Sequence, residues 1–230
     1  MDILTPLFWT ALLKIIGVNI ILSGDNAVVI ALAARSLPPS QQKKAIFWGS
    51  AAAIVMRIIL TFFAVALLQY EWLKLVGSVL LVWIGVKLLH DNADEEGGIK
   101  SHGTLLEAIK TILIADLVMS LDNVIAVAAA AKGDWLLVII GLGISIPLII
   151  YASTILIKVM EKYPVVITIG AALIGWVAGE MAWDEQVLKP FTSQFPHWFE
   201  YLAAAVGAVL VVGIGKLLAK QAAVPHAPMS

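Results

Sequence analysis

Two Asp-Asn pairs stand inside long apolar runs of the sequence, Asp25-Asn26 and Asp122-Asn123. Each is preceded by further polar residues, Asn19 and Ser23 in the first run, Asp116 and Ser120 in the second. Positions 19, 23 and 26 follow an i, i+4, i+7 spacing, as do 116, 120 and 123, so on a helix each set forms one polar stripe. Such a stripe is about 10 Å long, and Asp25 and Asp122 stand about 100° beside it. Carboxylate, amide carbonyl and hydroxyl oxygens are hard donors, suited to Mg²⁺, Ca²⁺ and Mn²⁺. The chain has no cysteine and no histidine within its apolar runs, which disfavours Zn²⁺, Cu⁺ and Ni²⁺. Met119, three residues before Asp122, would tilt such a site toward the softer Mn²⁺. Taken alone, core packing is the better account of Met119.

The setting of these residues raises their cost. An ionised Asp at the centre of a bilayer costs about 2.5–3.5 kcal/mol on insertion scales. Three carboxylates, Asp25, Asp116 and Asp122, multiply that cost, and a bound cation, a proton or the guanidinium of Arg57 would offset it. Arg57 stands in the middle of another apolar run and is placed to pair with one of them. Ser and Asn commonly serve only as interhelical hydrogen-bonding glue. Asp is a poor choice for glue, and an intramembrane carboxylate points to function. Glu180 and Lys87 fall near the ends of apolar runs, where snorkelling to the interface explains them as well as function does. The acidic run 91–96, DNADEE, reads as a solvated loop with a possible metal-sensing role beside His90 and His102, and the tail AVPHAPMS reads as disordered.

The elements that must position these groups are membrane spans. Of 230 residues 61% are hydrophobic and 13% charged, and the mean hydropathy is +0.96; a soluble domain has roughly 45–50% and about 25%. The net charge of −1 gives no basic surplus for nucleic acid. The N-terminus shows neither a basic n-region nor a small-residue cleavage site, so the first apolar segment reads as a retained span. A span needs about 20 apolar residues, and seven segments qualify: roughly 7–34, 46–68, 73–89, 109–131, 135–157, 165–183 and 198–218, with the third and sixth short. With the N-terminus outside, the cytoplasmic side holds ten Lys and Arg (35, 43, 44, 87, 100, 110, 158, 162, 216, 220) and the outer side three (74, 132, 189). That bias predicts N-out and C-in. Trp9, Trp72, Trp135, Trp183 and Trp198 fit interfacial belts.

The runs repeat. NIILSGDNAVVIALAAR at 19–35 aligns with DLVMSLDNVIAVAAAAK at 116–132, and GSVLLVWIG at 77–85 with GAALIGWVA at 170–178. Trp83 then meets Trp176, Lys87 meets Glu180, and Gly49 and Gly141 open the second and fifth spans. The expected fold is an all-α membrane domain over 1–230, with repeat 1 at about 7–89, repeat 2 at about 109–183 and an extra helix at about 198–218. Three spans per unit invert the second copy, the plan of many secondary transporters, with the site at the repeat interface. Asp25 lies ten residues before Arg35 and Asp122 ten before Lys132, about 15 Å from either flank, so both carboxylates reach the middle of a core about 30 Å thick from opposite sides. Gly24 would let the first helix loosen locally.

With SGDNAVVIALAAR at 23–35, DLVMSLDNVIAVAAAA at 116–131 and GSVLLVWIGVKLL at 77–89, the chain resembles the TerC family of integral membrane proteins, in particular its short YjbE-like branch. The resemblance covers the first six spans. It implies kinship with the LysE group of exporters and an association with tellurite resistance and manganese efflux. It further implies a Mn²⁺ exporter of the bacterial plasma (inner) membrane, with Mn²⁺ as transported substrate. The family's motif residues map onto Asp25, Asn26, Asp116, Asp122 and Asn123, with Asn19, Ser23, Ser120, Met119, Arg57 and Glu180 as auxiliaries. Expected partners are the metal ion and the bilayer, with homo-oligomers left open. Protons taken up by Asp25 or Asp122 would drive alternating access.

Three other classes compete. An intramembrane aspartyl protease would pair two carboxylates about one proton, but each Asp here is followed by Asn and the GxGD pattern of those proteases is absent. A membrane factor assisting metal loading of exported proteins would bind metal without flux. Amino-acid export fits poorly, because the carboxylates repel the substrate's own. The expectation is a transporter and not an enzyme.

Overall fold

The computed structural model describes residues 6–63, 70, 72–96, 103–131 and 134–222; within its helices the side chains at 6–7, 18–23, 92–96, 122, 125–126, 128–130 and 222 lie outside that description. All regular structure among the described residues is helical. The helices are α1 (Pro6–Arg35), α2 (Pro39–Phe62), α3 (Leu73–Glu96), α4 (Leu105–Ala131), α5 (Trp135–Lys162), α6 (Val165–Trp183), the single turn α7 (Lys189–Thr192) and α8 (Trp198–Ala222).

Their starts follow local chemistry. Pro39 occupies the first turn of α2, where its missing N–H costs nothing. Thr104 and Glu107 form a reciprocal capping box on α4: the Thr104 N–H donates to Glu107 Oε2 at 2.9 Å and the Glu107 N–H to Thr104 Oγ1 at 3.2 Å. The carboxylate of Asp134 accepts from the N–H groups of Leu136 and Leu137 and caps α5. At the other end of α3, the Leu75 N–H donates to Glu185 Oε2 at 3.0 Å, so a carboxylate from beyond α6 satisfies an orphan donor of the first turn.

Among the described residues five helices are long and apolar enough to cross a membrane: α2, α3 over 73–91, α5, α6 and α8. Large apolar side chains stand exposed along them, among them Val79, Tyr151, Val165, Val209 and Leu217. A soluble monomer seldom shows apolar surface on this scale, and a lipid-facing wall accounts for it. Trp9, Trp72, Trp135 and Trp198 are exposed, as interfacial anchors would be.

Several expectations need correction. The segment 91–96 is not a loop: α3 runs on to Glu96, so the third helix is not short. His90 lies in that helix with its Nδ1 3.7 Å from Asp91. The second helix begins at Pro39, before the expected 46, and runs to Phe62; the expected end at 68 lies outside the described residues. Helix α1 continues unbroken through Gly24, whose missing side chain faces open space and allows no special approach. The fifth helix extends to Lys162 and holds Pro147 in its interior. Proline cannot donate there, which leaves the Gly143 carbonyl without that intrahelical partner. The tail at 223–230 and His102 lie outside the described residues.

The packing is ordered. Helix α1 packs most extensively on α5, and α2 on α4; α3 lies on α6, and α1 runs along α4 through the centre. Helix α8 lies against both α3 and α6. Its seam with α6 is a backbone contact, because a Cβ at Gly175 or Gly179 would collide with the main chain at Gly207 or Ala203, and one at Gly207 with that of Gly175. Small residues four apart allow this approach, and dispersion then holds the pair in lipid.

Candidate cation site

The polar stripe of α4 is closed by a residue of α2. The guanidinium of Arg57 is buried, with 1% of the side chain exposed. Its Nη2 lies 2.5 Å from Asp116 Oδ1 and its Nε donates to Ser120 Oγ at 2.9 Å. Ser120 in turn donates to Asp116 Oδ2 at 3.2 Å. Both oxygens of Asp116 are thus engaged. Thr61 Oγ1 donates to the Arg57 carbonyl one turn along α2. The anticipated pairing of Arg57 with an intramembrane carboxylate is present, and the partner is Asp116. A buried guanidinium beside a carboxylate offsets the desolvation of both, and removing either partner is costly.

The stripe of α1 is different. Asp25 is half-buried and Asn26 almost fully buried. Asn19 and Ser23, and Asp122 on α4, lie outside the described side chains; Asn123 is half-buried. Met119 belongs to the hydrophobic core, in keeping with packing. Among the described residues no three of His, Cys, Asp and Glu stand close enough to hold a metal ion.

The third helix of each expected repeat repeats one device. On α3, Lys87 places its ammonium 5.7 Å from the Trp83 ring centre. On α6, Trp176 Nε1 donates to Glu180 Oε1 at 2.6 Å. Each pair spans one helical turn, where i and i+4 meet. Glu180 also lies within electrostatic reach of Asp25 and of Glu200. Glu180 stands in the last turn of α6, near a span end as expected.

Two features went unread in the sequence. Glu185 is buried and accepts the N–H groups of Leu75 and Gln186. Beside it, Lys74 donates to Asp184 Oδ2 at 2.8 Å, with Lys189 3.6 Å away on Oδ1. Partial burial works against ionisation of Asp184, but the hydrogen bond from Lys74 and the charges of Lys74 and Lys189 hold its carboxyl below the usual range. A cavity of about 600 Å³ opens here, lined by Trp183, Asp184, Lys189, Phe195, His197 and Glu200 among others. The acid-loop-acid spacing of 180, 184, 185 and 200 is visible in the sequence, but which of these would be buried depends on where α3 begins in space.

Known proteins resemble this chain in sequence. Residues 4–223 match the family described as integral membrane protein TerC. The uncharacterized membrane protein YjbE of Bacillus subtilis (strain 168) is 46% identical over 184 residues, covering 80% of this chain and 84% of YjbE. The membrane protein YceF of the same organism is 26% identical over 92% of this chain and 84% of its own length. The UPF0053 inner membrane protein YgdQ of Escherichia coli (strain K12) is 26% identical over 86% of this chain and 88% of its own. No solved structure matches. With a family match across nearly its whole length and YjbE well above the level at which families diverge, the chain belongs to the TerC family of integral membrane proteins.

Proposed function

We propose that this protein exports divalent metal cations, Mn²⁺ foremost, from the cytoplasm across the bacterial plasma membrane. Transport proceeds by alternating access between two inverted three-helix repeats, α1–α3 and α4–α6, with α8 as an added helix in a single domain. The N-terminus lies outside and the C-terminus in the cytoplasm, as the Lys and Arg distribution favours.

One observation carries the reading: the main helix contacts correspond when the two halves are exchanged. Helix α1 packs on α5 as α4 packs on α2, while α1 meets α4, α2 meets α5 and α3 meets α6. The exchange holds at single residues. Gly49 on α2 is filled by Ile112 of α4, and Gly141 on α5 is filled by Ile15 of α1. Ile15 and Ile112 stand in the register that aligns the two Asp-Asn motifs, and Gly49 and Gly141 open the aligned second helices. Such reciprocity is what a pseudo-two-fold axis would produce, and the reading puts that axis where α1 meets α4, the two helices that carry Asp25 and Asp122. Sites in inverted-repeat transporters lie at such an axis.

The donors near that axis are oxygens, which suit a hard or borderline divalent ion. Mn²⁺ in particular rests on the resemblance to the family. Rocking of one half against the other exposes the site to each side in turn, and protonation of Asp25 or Asp122 releases the ion outward. A hydrolytic role fits less well, because each motif Asp is followed by Asn and the GxGD pattern of intramembrane aspartyl proteases is absent.

A deletion strain grown across a panel of divalent metals tests the function. Selective sensitivity to Mn²⁺ with a raised cellular Mn pool is the expected result; an unchanged Mn pool contradicts it.

A further inference from the structure

We propose that Arg57 sets the charge of the cation site by withdrawing Asp116 from the ligand set, which leaves one motif carboxylate per half. The inference rests on the transport reading above and narrows its site.

The geometry separates Asp116 from Asp25. Asp116 Oδ1 faces the Arg57 guanidinium and Asp116 Oδ2 accepts from Ser120, whose own oxygen accepts from Arg57 Nε. Three buried side chains close a ring of hydrogen bonds, and the fork of Arg binds two acceptors at once. A cation approaching Asp116 meets a fixed positive charge. Asp25, by contrast, is half-buried on α1, on the other motif helix and apart from this ring.

The sequence halves carry the same logic. In the register that aligns the motifs, Asp116 faces the neutral Asn19. At the spacing that sets Gly141 against Gly49, Arg57 faces Ile149, a buried apolar residue on α5. The positive and the negative member therefore meet at one of the two corresponding contacts, α2 with α4, and both are absent from the other, α5 with α1. The pair adds no net charge to the bundle. The motif carboxylates left over are Asp25 and Asp122, two negative charges for the two positive charges of a divalent ion. Arg57 is in this sense a specificity-determining residue that acts through Asp116 without touching the substrate.

Mn²⁺ binding to the full chain in lipid nanodiscs, read from the free-ion electron paramagnetic resonance signal, tests this with Arg57→Gln, Asp116→Asn and the double variant. Asp116→Asn leaves an uncompensated guanidinium and should weaken Mn²⁺ binding tenfold or more. Arg57→Gln adds a third negative charge and should tighten binding several-fold while slowing release. The double variant, a neutral amide pair, should bind within threefold of wild type. A double variant as weak as Asp116→Asn makes Asp116 a direct ligand and overturns the proposal. Equal affinities in all four proteins overturn it too, leaving the pair a structural clasp. If a single variant does not fold, the double variant is compared with wild type: binding within threefold upholds the proposal, and a loss of tenfold or more overturns it. A wild-type protein that binds no Mn²⁺ sinks the transport reading itself, a result distinct from either failure among the variants.

Discussion

The two motif helices carry the same Asp-Asn pair but treat their extra polar residue in opposite ways. On α4, Asp116 is buried and locked to Arg57 and Ser120. On α1 the same register holds Asn19, and Asp25 stands half-buried. The contrast teaches that a carboxylate in an apolar bundle is not by itself a ligand. Desolvation demands a counter-charge, and for Asp116 the chain supplies it internally through Arg57. On the proposed reading, a substrate cation supplies it for Asp25.

The sharpest way to break this comparison is to remove the counter-charge. Arg57→Ala should destabilise the bundle by about 3–5 kcal/mol, because it strands a buried carboxylate. Asp25→Asn should cost about 1 kcal/mol or less, as a change at a half-buried group away from such a pair. Thermal unfolding in detergent compares the two, and equal losses would erase the distinction between the helices.

A smaller effect tests the frame around them. Gly179→Leu forces a side chain into the backbone of α8 at Ala203 and should cost about 1–3 kcal/mol, as overpacking does. Its effect should fall on the α6–α8 seam and leave Arg57 with Asp116 intact; protection of the α8 amides in hydrogen exchange reads it. Smaller again, Gly49→Val and Gly141→Val should destabilise by similar amounts, about 1 kcal/mol each. Each should be relieved by trimming its own partner, Ile112→Ala or Ile15→Ala. Relief in one half alone would mean that the exchange symmetry is incidental.

The smallest effect concerns pH at the clasp on the start of α3. The folded carboxyl of Asp184 is lowered from its ordinary 3.8. Its contribution to stability is therefore complete above that value and is lost as pH falls through the lower folded one. Lys74→Met should flatten that acid limb without changing stability at neutral pH by more than a few tenths of a kcal/mol, since exposed pairs contribute little.

Much of this was legible in the chain. Apolar runs of about 20 residues gave the helices, and the duplicated Ser-x-Asp-Asn register pointed to the two halves proposed above. Arg57 was readable as a counterion because a guanidinium in an apolar run must find one. Its choice of Asp116 was not readable, since that depends on which face of α4 meets α2. The length of α3 was misjudged because acidic residues lower hydropathy without lowering helix propensity; Asp91 to Glu96 continue a helix beyond its apolar stretch. Glu185 was missed because a carboxylate in a loop looks solvated until a helix start is laid against it. The seam between α6 and α8 was spelled by Gly175, Gly179, Ala203 and Gly207, but spacing of small residues does not say which helix they face.

The central claim is that Asp25 and Asp122 together hold a cation in transit. Mn²⁺ uptake by proteoliposomes containing wild type, Asp25→Asn or Asp122→Asn tests it most directly. The account predicts a fall of at least tenfold, to the background of empty liposomes, in both variants with the folded protein retained. Wild-type rates in both would contradict it.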